Sequence, residues 1–304
     1  MSHVNDKVVV VTGSGRGIGR AIALLAGREG AKVVVNDLGV APDGSGVDTG
    51  PAEGVAEEIR LAGGEAIVSF DSIADAESAQ RIIDHAVATY GRVDAVVNNA
   101  GILRDRIFHK MSAEEWQAVI QVHLDGYFHV SRAAAPYFKE QNGGAFVHFT
   151  SPSGLIGSVG QVNYAAAKMG VVGLSTGIAH DMARYNVRSN CIAPSAWTRL
   201  VAGVPVRDKD EEERNKRLER SMSVDKIAPL TVFLAGSDSA DVNGQIFKVR
   251  GNEIFLMSQP RPLRSLHRER GWDQGSLRDH MLPAMRDSFV PLQTHLEYFN
   301  WEPI

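Results

Sequence analysis

The sequence predicts an α/β protein: a doubly wound parallel sheet of about seven strands in a single domain, followed by an irregular C-terminal tail. Three observations carry this prediction. Short β-branched runs alternate with longer segments of helical period along most of the 304 residues. The runs are apolar on successive residues, which suits strands buried on both faces. Between them lie roughly 20–50 residues, enough for right-handed helical crossovers.

Taken in order, the strand candidates are KVVVV at 7–11, AKVVVND at 31–37, EAIVSFD at 65–71 and VDAVVNNAG at 93–101. GAFVHFTS at 144–151, VRSNCIAP at 187–194 and QIFKVRG at 245–251 complete the set. Ligands of such a sheet are expected at the carboxyl ends of its strands.

Composition narrows the partners. Lysine plus arginine is 32 against 36 acidic residues, and a net charge of -4 points away from nucleic acid and anionic membrane surfaces and towards small molecules. The lone cysteine, Cys191, has no internal partner, and MSHVNDKVVVV has no signal-peptide pattern, so a cytoplasmic protein is expected. No apolar run is long enough to cross a bilayer.

Three segments break the alternation. LGVAPDGSGVDTGPAEG, at 38–54, holds five glycines and two prolines and reads as an irregular loop. Its Asp43 and Asp48 lack the ligand spacing of a calcium loop, so no metal site is expected. RDKDEEERNKRLER, at 207–220, carries six bases and six acids and reads as a solvated helix laced with i,i+4 pairs. Beyond residue 255 the tail shows little period. Its run RPLRSLHRER has two readings: cations for a bound phosphate, or a surface arm that strengthens an oligomer.

Directly after the first strand, TGSGRGIGRAIA places Gly13, Gly17 and Gly19 ahead of an alanine-rich helix. Glycines there allow a tight turn, close approach of a pyrophosphate to helix N–H groups, and close packing of helix on sheet. Asp37, twenty residues after Gly17 and at the end of the second strand, is placed to accept ribose hydroxyls and to repel a 2′-phosphate. Two like charges about 4 Å apart at an effective dielectric of 20 cost about 4 kcal/mol, which favours NAD over NADP. Arg16 pulls the other way, since a cation in the turn can reach a 2′-phosphate. The plainer reading of Asp37, a carboxylate capping the next turn, stays open. Asp71 ends the third strand, where it can meet an adenine amino group; in NNAG, at 98–101, the asparagines can tie strand ends and Gly101 can leave room for a ribose.

Tyr164 and Lys168 are four apart in QVNYAAAKMGVVGLSTGIAHDMA, a long small-residue helix, and so share a face. Hydride transfer at a carbonyl carbon needs a proton partner at the oxygen. Free tyrosine, with a pKa near 10, is a poor base, and a nearby ammonium should lower it. Ser151, thirteen residues before Tyr164, ends the fifth strand and can hold a substrate oxygen.

TGSGRGIG, Asp37, NNAG, Ser151 and the pair Tyr164 and Lys168 together resemble the short-chain dehydrogenase/reductase family, over roughly residues 5 to 255. The resemblance implies a Rossmann domain at 1–255 with an extension at 256–304, a homodimer or homotetramer, and NAD(P)-dependent interconversion of alcohols and ketones. It implies that Tyr164 is the acid/base, Lys168 the ribose ligand that lowers the tyrosine pKa, and Ser151 the group that polarises the carbonyl. The cofactor would be held by Gly13, Ser14, Arg16, Gly17, Ile18, Gly19, Asp37, Asp71, Ser72, Asn99, Ala100 and Gly101, by Tyr164 and Lys168, and by Thr198 at the carboxamide.

The sequence departs from the family twice. His123 stands where an asparagine usually helps a proton relay, and either keeps the relay or is a core histidine; Pro194-Ser195 replaces Pro-Gly and stiffens the loop at the substrate. Within the family, VVVNDLG, NNAGILRDR and GQVNYAAAKMGVVGL look most like the 3-hydroxyacyl-CoA dehydrogenase domain of the peroxisomal multifunctional β-oxidation enzyme, which implies an acyl-CoA or steroid-related substrate. A protein of another class, a catalytically silent NAD(H) sensor or scaffold, is the alternative.

Overall fold

The computed structural model describes residues 3–197 and 209–304. Eight strands form one sheet in the order β3-β2-β1-β4-β5-β6-β7-β8. They are β1 (Val8–Thr12), β2 (Lys32–Asn36), β3 (Glu65–Ser69), β4 (Ala95–Asn98), β5 (Gly144–Phe149), β6 (Val187–Ser195), β7 (Ile246–Arg250) and β8 (Glu253–Leu256). The first seven are parallel, and β8 pairs antiparallel with β7.

Because alternate residues of a strand face opposite sides, β1 feeds two cores at once. Val9 and Val11 join the core under α1 (Gly17–Arg28), α2 (Gly50–Leu61) and the helix α9 (Ala228–Ala235). Val8 and Val10 join the core under α3 (Ala76–Tyr90), α5 (Gly126–Gln141) and α7 (Val162–Met182). All four valines are at most 1% exposed, which explains why the strands read as unbroken apolar runs.

Local chemistry sets the helix ends. Asp75 caps α3 by accepting Ser78 N–H, and Gly91 closes it with φ 76; such caps contribute about 1 kcal/mol each. Ser112 and Glu115 form a capping box at the start of α4 (Ala113–Ile120). Between α4 and α5 the chain runs through a π-helical turn, Gln121–Asp125, whose extra residue turns His123 inward to 3% exposure. Short α6 (Pro152–Leu155) follows β5, and the charged segment forms α8 (Lys209–Ser221).

Two expectations change. The loop after β2 ends at residue 49, because Gly50 and Pro51 already form the first turn of α2, where proline's missing N–H costs nothing. The eighth strand was beyond the expected seven: it is four residues long, at the sheet edge, and follows a turn at Gly251 with φ 60. The tail then returns to its own chain. His295 N donates to Gly157 O at 2.9 Å and Asn252 N donates to Ile304 O at 2.7 Å. The Phe299 ring covers the Lys248 ammonium at 4.4 Å. No helix among the described residues is long and apolar enough to cross a membrane.

Candidate active site

The sheet reverses direction of growth between β1 and β4, and a cleft of about 460 Å³ opens at the carboxyl ends there. Gly13 and Gly17 adopt φ 65 and 56, the left-handed region that favours glycine. A Cβ on Gly13 would lie 2.6 Å from Ala100 Cα, so only glycine lets the turn pass β4. A Cβ on Gly17 would meet nothing within 4 Å, which leaves open space above the first N–H groups of α1, those of Gly17, Ile18 and Gly19. This cradle fits a dinucleotide. Asn99 braces it, its Nδ2 donating to Thr12 O and Gly13 O at 3.0 Å each. Asn98 ties β4 to Ser131 of α5 and lies 3.1 Å from His148 Nδ1 of β5.

Asp37, Asp71, Ser72, Arg16, Asn99, Ala100 and Gly101 line the cleft with Gly13 and Gly17. The Asp37 carboxylate caps turns, as the plainer reading expected, accepting from Gly15 N and Gly39 N at 2.7 Å each. Arg16 is paired with Asp48 at 2.7 Å, and Asp71 with Arg81 at 2.8 Å. Asp43 binds Ser45. Among the described residues no group of three or more metal-ligating side chains comes together.

Two of the expected cofactor residues have other partners within the chain. Ser14 is fully buried and its hydroxyl donates to Val11 O at 2.8 Å, so its side chain stiffens the turn from behind. The space beside the Gly101 Cα belongs to His123: a Cβ there would lie 2.2 Å from the imidazole Cε1. Gly101 also lines the cleft. Thr198 lies outside the described residues.

Ser151, Tyr164 and Lys168 come together past the end of β5. Ser151 is 7% exposed and accepts Ser153 N–H at 3.1 Å, and Tyr164 lies beside it, half-buried. The Lys168 ammonium donates to Phe149 O at 2.6 Å and to Tyr127 Oη at 3.1 Å, and lies 5.6 Å from the centre of the Tyr164 ring. Thr150 holds the backbone of this residue, its hydroxyl donating to Lys168 O at 2.6 Å.

The expected lowering of the Tyr164 pKa by Lys168 is not what this packing produces. Burial pushes Tyr164 up to about 12, with Ser151 opposing and the Asp105 charge adding to the rise. Burial likewise brings Lys168 down to about 7. Desolvation, the largest cause for each, opposes charge on both groups. His123 sits edge-on to Tyr164, ring centres 5.1 Å apart, with Nε2 at 2.8 Å from Ile102 O and 3.1 Å from Ile102 N. Its Nδ1 is buried without a partner, and burial holds its pKa well below the ordinary value.

Sequence reasoning missed Tyr127, whose hydroxyl joins Lys168 to Ala100 O at 3.1 Å; its place one helical turn after His123 was the available clue. It also missed Asn163, fully buried, whose Nδ2 donates to Arg104 O and Glu115 O and whose Oδ1 accepts Tyr164 N–H.

A nucleotide cradle beside a serine–tyrosine–lysine group is the arrangement of a nicotinamide-dependent oxidoreductase acting on CH–OH groups. A family model described as short chain dehydrogenase matches residues 7–210. The chain belongs to the short-chain dehydrogenase/reductase family. It is 40% identical over 298 residues to a hydroxyacyl-CoA dehydrogenase of Mycobacterium tuberculosis, covering 95% of this chain and 90% of that one. It is 40% identical over 266 residues to mouse peroxisomal multifunctional enzyme type 2, covering 88% of this chain but only 34% of that longer protein. Among solved structures, a short chain dehydrogenase from Mycobacterium avium superposes with TM-score 0.82 at 38% identity, over 95% of this chain and 98% of that one. A 7α-hydroxysteroid dehydrogenase complexed with NADH and 7-oxo glycochenodeoxycholic acid gives TM-score 0.73 at 28% identity, over 82% and 95%.

Proposed function

We propose that the protein interconverts a secondary alcohol and a ketone with NAD(H), on a substrate carried by an acyl-CoA thioester or a steroid-like skeleton. One observation carries the chemistry: Ser151, Tyr164 and Lys168 come together past the end of β5, with Ser151 and Lys168 buried and Tyr164 half-buried beside them. The nicotinamide, when bound, supplies or accepts the hydride. In reduction Tyr164 gives its proton to the carbonyl oxygen while the Ser151 hydroxyl holds that oxygen, and in oxidation both roles reverse. A phenol kept protonated by burial is suited to the donating role. Lys168 holds the strand end through Phe149 O and is the residue we assign to the nicotinamide ribose.

The cofactor preference rests on Asp37 at the end of β2 and on Arg16, whose charge is already met by Asp48. The substrate class rests on what the relatives are named for. The groove between α5 and α7, lined by Phe128, Leu174, Ile178 and Met182, is the face we assign to a second copy in a dimer or tetramer.

The decisive experiment is Tyr164→Phe. The variant is expected to bind NADH like the wild type and to turn over no 3-hydroxyacyl-CoA, steroid or simple ketone; turnover within ten-fold of wild type would overturn the assignment.

A further inference from the structure

Gln161, at the entrance to α7, is held at both ends of its side-chain amide. Its Nε2 donates to Asp105 Oδ2 at 2.8 Å, and its Oε1 accepts from the Ser153 hydroxyl at 2.9 Å. The carboxylate only accepts, so it fixes which way the amide faces, and the amide in turn fixes the direction of the Ser153 hydroxyl. Ser153 is 5% exposed and donates its backbone N–H to Ser151 Oγ. The backbone reinforces this path: Arg106 pairs with Gln161 as an isolated parallel bridge, and Arg106 N donates to Gly160 O at 2.8 Å. Asp105, in the segment after β4, is thereby joined to the serine after β5.

We propose that Asp105 is a positioning residue: through Gln161 and Ser153 it holds Ser151 in place. This rests on the roles assigned above to Ser151 and Tyr164. The consequence for Ser151 is directional. Its oxygen already accepts Ser153 N–H, so its own hydrogen is left for an oxygen of the substrate. The neighbouring cation Arg106 is spent on Glu115, at 2.9 Å, and leaves the Asp105 carboxylate to Gln161. No proton moves along the chain, which sets orientation only.

The test compares Asp105→Ala and Gln161→Ala with Asp105→Asn in the intact protein. Each alanine breaks the chain and should lower kcat at least ten-fold, with NADH affinity within two-fold of wild type as the check on folding. Asparagine keeps an acceptor for Gln161 and should restore most of kcat. Wild-type kcat in either alanine variant, or an asparagine variant no better than alanine, overturns the proposal. If Tyr164→Phe is inactive while both alanine variants keep wild-type kcat, only Asp105's role falls; if Tyr164→Phe is active, the catalytic assignment falls instead.

Discussion

The His123 ring occupies the space that any side chain on Gly101 would need, with a hypothetical Cβ only 2.2 Å from Cε1. One residue's absent side chain and the other's imidazole are therefore a single packing decision. Gly101→Ala should push the ring against Tyr164, its edge-on neighbour, and destabilise the protein. In a His123→Ala background the same change should cost less by about 1–3 kcal/mol, the coupling expected of residues in contact. Urea denaturation of the four proteins measures this, and strictly additive costs would refute it.

Cofactor choice should respond to Asp48 as well as to Asp37. Arg16 and Asp48 are partly exposed, so their ion pair adds at most about 1 kcal/mol to stability. Asp48→Ala should leave the melting temperature nearly unchanged and free the Arg16 guanidinium for a 2′-phosphate. NADPH should then bind several-fold more tightly relative to NADH, as titration of nicotinamide fluorescence would report. An unchanged ratio would mean that Arg16 does not face the 2′ position.

Acid should weaken the fold through His148. An unfolded histidine takes up a proton below about 6.5, whereas this fully buried ring does so only at about 3, because burial penalises its charge. Between those values unfolding binds a proton. The stabilising contribution is thus complete above 6.5, shrinks as the pH falls and is gone near 3, a loss of up to a few kcal/mol. His148→Phe keeps a ring for the stack with Tyr127 and removes the titration. Its urea midpoint should fall less than that of wild type between pH 7 and 4.5, with His123 left to supply the remaining slope. Equal slopes would exclude His148 as the source.

The tail should matter to the substrate side. Phe299 is 9% exposed over the Lys248 ammonium, and that ammonium donates to Ser195 Oγ at 2.6 Å. Phe299→Ala removes a buried ring and should cost about 3 kcal/mol. The neighbouring His295 holds Gly157, in the loop between Ser151 and Tyr164, so KM for the ketone should rise more than Kd for NADH. A steady-state comparison decides it: equal effects on both would detach the tail from the substrate loop.

How much of this could be read from the chain differs by element. Strands β1, β2, β4 and β5 were the most legible because they are buried on both faces and spell near-continuous apolar runs; β8 was not, since its residues at the sheet edge alternate between half-buried and exposed. The glycine turn was legible because φ near 60 at Gly13 and Gly17 leaves few other residues possible. The direction of the Ser14 hydroxyl, inward to Val11 O, was not legible, since nothing in its neighbours specifies it.

By itself the sequence determined the sheet, the order of its elements, and the candidates Ser151, Tyr164 and Lys168, because periodicity and spacing are properties of neighbouring residues. Tertiary structure alone decided that His123 fills the gap at Gly101, that Lys168 spends its ammonium on Phe149 O and Tyr127, and that Asp105 reaches Ser153 through Gln161. Each of these joins residues from different crossovers, whose meeting depends on how β4, β5 and α7 come together in space. It also decided the electrostatics, since the burial that holds Tyr164 and Lys168 near neutrality arises only when the surrounding elements exclude water.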